Sequence, residues 1–258
     1  MAPSLDGVLE GSIVGSFTNV GYAARSRDWD DGHGDMEGMT AVITGATSGI
    51  GLAAAERMAG LGARVALIGR NRSKLDSSVE RLRANGERDV VGYLADLSSM
   101  DEVRGLAEEL LAGEERIAVL INNASVLAPE RSTSVDGFEL PAATNLLSAF
   151  LLTNLLIPRL VESAPSRIIT VSSGGMYTEA LDVDGIEMSE DDYSGAAAYA
   201  RTKRAQVVLT ELWAERLAGT RVVAHSMHPG WVSTPGVSAS LPTFRKVMGP
   251  LLRSADQG

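Results

Sequence analysis

The chain has 258 residues, of which 45% are hydrophobic, 22% charged and 5% aromatic, a composition that packs a core and excludes disordered and fibrous classes. Lysine and arginine total 23 against 33 acidic residues, a balance of −10, which disfavours nucleic acid and anionic membrane surfaces as partners. Cysteine is absent, removing disulfides, thiolate metal sites and cysteine nucleophiles. No apolar run reads as long enough to span a bilayer and the N-terminus lacks the pattern of a secretory signal, so the expected setting is cytoplasmic.

Residues 1–38 differ in character from the rest of the chain. Leu5, Val8, Leu9, Ile13, Val14, Phe17, Val20 and Tyr22 recur loosely at helical spacing, before an Asp- and Gly-rich linker over 26–38. The simplest reading is an N-terminal extension whose helix packs on the domain. A substrate lid or a membrane-surface helix is the alternative, and the lack of lysine weakens the membrane version.

From residue 39 to 258 the pattern is that of one domain. Short apolar runs at 40–44, 64–68, 89–94, 117–121, 167–171 and 222–227 lack strict polar alternation, as strands buried on both faces do. Helical segments at 50–61, 74–85, 100–112, 142–163 and 196–217 lie between them. Ser98 and Ser99 precede Asp101 and Glu102 as a helix start, and Gly86 marks a helix end. This order predicts an α/β fold, a doubly wound parallel sheet of Rossmann type.

The first strand runs into Gly45-Ala46-Thr47-Ser48-Gly49-Ile50-Gly51 and directly into a helix. Such a turn lets backbone N–H groups and the helix dipole meet a pyrophosphate with no Cβ in the way. A tight turn without a ligand is the alternative, because the glycine spacing differs from the common dinucleotide fingerprint. The second strand ends at Arg70, with Arg72 beyond, where an arginine suits a 2′-phosphate and an acid suits a free ribose hydroxyl. Asp96 follows the third strand, placed either to accept from an adenine amino group or to cap the next helix. Asn122 and Asn123 end the fourth strand over the expected crevice, as ligand contacts or as loop-stabilising turn residues.

Tyr199 and Lys203 sit one turn apart on a helical segment, and Ser172 and Ser173 follow the fifth strand. A phenol with an ordinary pKa of about 10 needs help to exchange protons near neutrality. A neighbouring ammonium supplies it by stabilising the phenolate, while a serine hydroxyl polarises the carbonyl oxygen. Tyr177 and Tyr193 have no lysine four residues on. A surface tyrosine and lysine on an amphipathic helix is the bland alternative.

Taken in order, the glycine turn, Asn122-Asn123-Ala124, Asn145, Ser173, Tyr199, Lys203 and Pro229-Gly230-Trp231-Val232-Ser233-Thr234 resemble the short-chain dehydrogenase/reductase family. The long gap from Ser173 to Tyr199 and the string Ser172-Ser173-Gly174-Gly175-Met176 are similar to its retinol-dehydrogenase-like branch. The resemblance implies an oxidoreductase that moves a hydride between a nicotinamide dinucleotide, for which Arg70 points to NADP(H) rather than NAD(H), and the carbonyl or alcohol of a small molecule. It implies Tyr199 as acid/base, Lys203 lowering the phenol's pKa and binding the nicotinamide ribose, Ser173 orienting the substrate oxygen and Asn145 supporting a water relay to Lys203. The cofactor contacts it implies are Gly45, Thr47, Ser48, Gly49, Ile50, Gly51, Arg70, Asp96, Leu97, Asn123, Ala124, Tyr199, Lys203, Pro229, Gly230, Val232 and Thr234.

The chain departs from the family pattern in two places. Ser125 stands where the family's Asn-Asn-Ala-Gly string ends in glycine, and the chain stops at Gly258, where the family usually continues into a further helix and strand. The expectation is that part of the substrate pocket and of an oligomer surface is missing, whether the end is natural or a truncation. Few charges occupy 174–180 and 231–241, which favours an apolar substrate such as a retinoid, steroid or lipid aldehyde, although the acidic stretch 182–192 tempers this. His225 and His228 face opposite sides of a strand, so no metal site is expected. The competing functional reading is a catalytically silent NADP(H)-binding regulator on the same fold.

Overall fold

The computed structural model describes residues 12–27, 34–86, 89–234, 236 and 242–258. Two short helices, α1 (Ile13–Phe17) and α2 (Asn19–Arg25), precede the domain. Leu5, Val8 and Leu9 of the expected N-terminal helix lie outside the described residues. The domain then alternates β1 (Thr40–Thr44), α3 (Gly49–Gly60), β2 (Arg64–Gly69), α4 (Arg72–Ala84), β3 (Val90–Leu94), α5 (Met100–Gly113) and β4 (Val119–Asn122). A π-helical segment at Ala142–Leu147 leads into α6 (Ser148–Glu162), β5 (Ser166–Val171), a 3₁₀ turn at Gly174–Thr178, α7 (Gly195–Arg216), β6 (Val222–Met227) and α8 (Pro242–Met248).

All six strands are parallel, in the order β3-β2-β1-β4-β5-β6. This is the doubly wound Rossmann sheet that the apolar runs predict. Alternate residues of each strand serve opposite layers. Val42, Ile68, Leu120 and Ile168 pack beneath α5 and α6, while Ile43, Val65, Leu67 and Ile121 pack beneath α3 and α4.

The helices bury apolar stripes at the expected spacing. In α5 these are Val103, Leu106, Ala107 and Leu110, with Ser99 accepting a hydrogen bond from the Glu102 N–H at the start. In α6 they are Leu152, Leu156 and Leu160. The stretch Ala142–Glu162 is long and apolar enough, by length and composition alone, to cross a membrane, which corrects the reading that no run approaches that length. Polar residues such as Asn145 and Asn154 interrupt the run without lowering its average enough. In this fold Leu152, Leu156 and Leu160 of that stretch are fully buried in the core.

The end of the sheet away from the strand carboxyl ends is held by a buried carboxylate. Glu114, 1% exposed, accepts from Arg64 Nε at 2.6 Å, from Arg64 Nη2 at 3.0 Å and from the Tyr93 hydroxyl at 2.8 Å. Asp89 pairs with the same guanidinium. Arg159 of α6 donates to the carbonyls of Glu114 and Leu111, closing the last turn of α5. Burial and the Glu114 carboxylate hold the Tyr93 phenol above its ordinary range. Because Arg64 keeps a third of its side chain in water, Glu114→Gln is expected to cost about 2 kcal/mol, less than a fully buried pair. Chemical denaturation checks this, and an unchanged midpoint would contradict it.

Candidate active site

The strand order reverses between β1 and β4, and the crevice above their carboxyl ends holds the site. Gly45 adopts φ +66, and a Cβ there would lie 2.9 Å from the Ala124 Cα. A Cβ on Gly51 would lie 2.6 Å from the Gly45 carbonyl oxygen and would strike the Asn123 amide. Glycine is therefore required at both ends of the turn by close backbone approach. Ser48 precedes α3 in an extended conformation and its side chain forms no cap, so the first-turn N–H groups of α3 remain for an anion. These features fit a dinucleotide pyrophosphate.

Arg70 is exposed where it lines the cavity, beside Gly69 at the end of β2. Asp96 lines the same rim and spends its Oδ1 on the Ser98 N–H and hydroxyl, at 2.9 and 2.8 Å. It thus braces the turn ahead of α5, while Ser99 is the cap residue. Both asparagines at the end of β4 are structural in the first instance. Asn122 is buried and donates to Thr153 Oγ1 at 2.9 Å, and Asn123 donates to the carbonyls of Thr44 and Gly45 at 2.8 and 3.3 Å. Asn123 also lines the cavity.

The strand-to-turn junction after β5 and the first turns of α7 form the opposite wall. Tyr199 lines the cavity together with Ser173 and Ser125. Ser173 also accepts from the Gly175 N–H at 3.2 Å, which fixes its rotamer at the start of the 3₁₀ turn. Lys203, one turn below, is 1% exposed, donates to the Val171 carbonyl at 2.8 Å and lies 5.6 Å from the Tyr199 ring centre. Burial lowers its ammonium to about 7. Burial also raises the Tyr199 phenol above its ordinary value, and the two serine hydroxyls pull against that rise. Sequence spacing alone assigns that pull to Lys203. The difference arises because a lysine so fully desolvated carries a costly charge of its own.

Asn145 stands apart from the cavity wall. Its side chain accepts from the Val126 N–H at 2.8 Å and donates to the Val126 carbonyl at 3.0 Å and to Thr202 Oγ1 at 3.0 Å. Its own carbonyl accepts from Gln206 Nε2 at 2.5 Å. The backbone is π-helical here, with the Ser148 N–H reaching back to the Ala143 carbonyl. Asn145 therefore joins the β4 loop to α7, and its polar contacts do not include Lys203.

The N-terminal extension packs on the loop at 229–234. The Trp231 N–H donates to the Phe17 carbonyl at 2.7 Å, and the Phe17 ring stacks on His228 at 4.7 Å and approaches Trp231 at 5.5 Å. The same ring lies against Gly174, where a Cβ would collide with it. Arg253 donates to the carbonyls of Ser16, Thr18 and Pro229 at 3.0, 3.2 and 2.9 Å. Burial, then the charges of Arg253 and Arg25, holds His228 below its ordinary pKa. Its Nδ1 accepts from the Gly230 N–H.

A family model described as short chain dehydrogenase matches residues 39–243. The chain belongs to the short-chain dehydrogenase/reductase family. Among its relatives, the Bos taurus protein named Dehydrogenase/reductase SDR family member 12 is 39% identical, with 94% of this chain and 76% of the relative covered. Retinol dehydrogenase 14 of Mus musculus is 40% identical over 78% of this chain and 63% of its own length. A Beutenbergia cavernae protein assigned as an NAD(P)-dependent gluconate 5-dehydrogenase, solved with NADP at low occupancy, superposes with a TM-score of 0.71 at 27% identity, covering 86% and 88% of the two chains. The Pseudomonas aeruginosa RhlG/NADP complex gives 0.67 at 27% identity over 83% and 80%.

Against this short-chain dehydrogenase/reductase frame, every expected cofactor contact, together with Ser173, lines one cavity of about 670 Å³, and Asn145 does not. That volume is ordinary for a small-molecule site. Trp231, Gly175 and Thr178 line it from the two segments expected to form the substrate pocket. Residues 235 and 237–241 of the second segment lie outside the described residues. The acidic stretch 182–192 contributes nothing to the wall. It is tied down through Met188, whose N–H donates to Glu139 and whose carbonyl accepts from Arg131.

Sequence reasoning missed the roles of Phe17 and Arg253, which are made through long-range contacts. The cradle is tight enough for a direct test. Gly51→Ala is expected to weaken nicotinamide dinucleotide binding by about tenfold or more, because the added methyl meets backbone that cannot rotate away. Fluorescence titration measures it, and an unaltered Kd would refute the cradle.

Proposed function

We propose that this protein is an NADP(H)-dependent oxidoreductase acting on the carbonyl or alcohol of a small, largely apolar substrate of retinoid, steroid or lipid-aldehyde type. The observation that carries the reading is that Tyr199, Ser173 and buried Lys203 line the same cavity as an anion-ready glycine turn.

In this reading the turn at 45–51 and the start of α3 hold the pyrophosphate, Arg70 meets the 2′-phosphate and the loop at 229–234 covers the nicotinamide. The cofactor, when bound, supplies or accepts the hydride. Ser173 holds the substrate oxygen, and Tyr199 gives that oxygen a proton as it gains charge, or takes one in the reverse direction. Lys203 faces the ribose and Tyr199 from below, its charge held in place by Val171. Asn145 is assigned a positioning role through Val126 and Thr202. The NADP-bound relatives and the retinol dehydrogenases support the cofactor and substrate class.

Two substitutions test the two halves of this assignment. Tyr199→Phe keeps the ring and removes the proton donor, so turnover of NADPH with retinal should fall by about 100-fold or more while NADPH still binds. Near-normal single-turnover rates in that variant would sink the mechanism. Arg70→Ala should weaken NADPH by about tenfold or more, as loss of a charge-assisted phosphate contact does, and leave NADH little changed. Equal losses for both cofactors, read by titration, would remove Arg70 from the phosphate site.

A further inference from the structure

Three successive carbonyls of the N-terminal extension are taken by residues far away in the chain. Arg253 donates from Nη2 to Ser16 and from Nε to Thr18, at 3.0 and 3.2 Å, while the Trp231 N–H takes the Phe17 carbonyl between them at 2.7 Å. One guanidinium can hold both flanks because its N–H groups point in fixed, divergent directions. The same group donates from Nη1 to Pro229, and the backbone of Arg253 pairs with Trp231 and Ser233. The joint between α1 and α2 is thus locked onto the loop at 229–234, which fixes where the Phe17 ring begins.

That ring lies between the two segments that wall the substrate side of the cavity. On the β5 side it fills the space where a Cβ on Gly174 would stand and meets the Tyr177 ring edge-on at 6.4 Å. On the β6 side it stacks on His228 and reaches the Trp231 ring at 5.5 Å. Gly175 and Thr178 of the first segment and Trp231 of the second line the cavity, and Phe17 stands behind them. Phe17 belongs to neither apolar core of the domain, so its ring serves the site more than the fold.

We propose that Phe17 is a positioning residue for the substrate: wedged between the 3₁₀ turn after β5 and the β6 loop, it sets how far Trp231 stands from Gly175 and Thr178. The opening is thereby held wide enough for a broad apolar molecule. The inference rests on the substrate class given above and adds a residue that acts through Trp231. Truncating the ring removes its contacts with Tyr177, His228 and Trp231 at once, and the indole is then free to turn into the gap. Arg253 and its backbone pairing still hold the main chain of the loop over the nicotinamide. Loss of the ring therefore separates substrate binding from cofactor binding.

The experiment titrates the tryptophan fluorescence of the full chain with retinal in the presence of NADP, which has no hydride to give, and separately with NADPH. The proteins compared are the parent, Phe17→Ala and Phe17→Met. Phe17→Ala should weaken retinal binding by about tenfold and leave NADPH within about twofold of the parent. Phe17→Met, similar in volume and able to contact aromatic rings through its sulfur, should recover most of the loss. Retinal bound equally by the parent and Phe17→Ala would overturn the assignment. So would a Phe17→Ala protein that loses retinal and NADPH alike with no rescue by Met, the mark of a general brace. A parent that binds no retinal would overturn it together with the substrate class. The expected pattern in a parent that binds retinal without reducing it by NADPH would support Phe17 and overturn the reaction.

Discussion

Between the carboxyl ends of β1 and β4, one buried hydroxyl joins two strands that are far apart in sequence. Thr44 Oγ1 donates to the Ile121 carbonyl at 3.2 Å and accepts from the N–H groups of Asn123 and Ala124 at 2.9 and 3.0 Å. Asn123 returns the contact through its amide to the Thr44 carbonyl. This knot sets the distance between the glycine turn and the β4 loop, which is why the turn can carry no side chain at Gly45 or Gly51. It also fixes where Ser125 begins. The cradle and the β4 side of the proposed reaction centre are therefore two consequences of a single junction at the point where a doubly wound sheet opens.

The far wall depends on polar burial of a different kind. The inner face of α7 carries Thr202, Lys203, Gln206 and Thr210 where a core helix would carry leucines, and each is nearly inaccessible. All four have partners: Asn145 for Thr202 and Gln206, Val171 for Lys203, and Thr170 for Thr210. Such a network gains less from burial than apolar packing would, yet it admits few alternative arrangements. Its effect is to hold Tyr199 at a defined height beside Ser173, with the π-helical turn at 142–147 supplying the bend that brings Asn145 into reach. π-helical turns of this kind are often found at functional sites.

The sheet was legible because parallel strands buried on both faces read as short apolar runs, and β1 and β6 occupy the residues those runs mark. The other domain elements differ by a residue or two at their ends, where caps decide the boundary, except that the segment read as one helix at 142–163 opens as a π-helical turn over Ala142–Leu147 before α6. The turn, Arg70, Ser173, Tyr199 and Lys203 were legible as motifs because each sits at a strand end or one helical turn from its partner. What was not legible depends on distance in sequence. Phe17 reads as one apolar residue in a loose helical pattern, and only the folded chain shows it stacked on His228 and against Gly174. Arg253 belongs to no motif in the sequence, yet it ties Ser16, Thr18 and Pro229 together. The balance acting on Tyr199 was also hidden, since burial depends on the whole fold and no spacing reports it.

The central claim is that one cavity aligns a nicotinamide dinucleotide with a proton-donating phenol, so that a hydride passes directly from one bound molecule to the other. NADPH carrying deuterium at its transferable C4 position, incubated with retinal and the full chain, tests this with no substitution in the protein. The account predicts retinol that carries one deuterium, formed in step with NADPH consumption. NADPH that binds and is never consumed with any apolar aldehyde, or product that forms without the label, would contradict it.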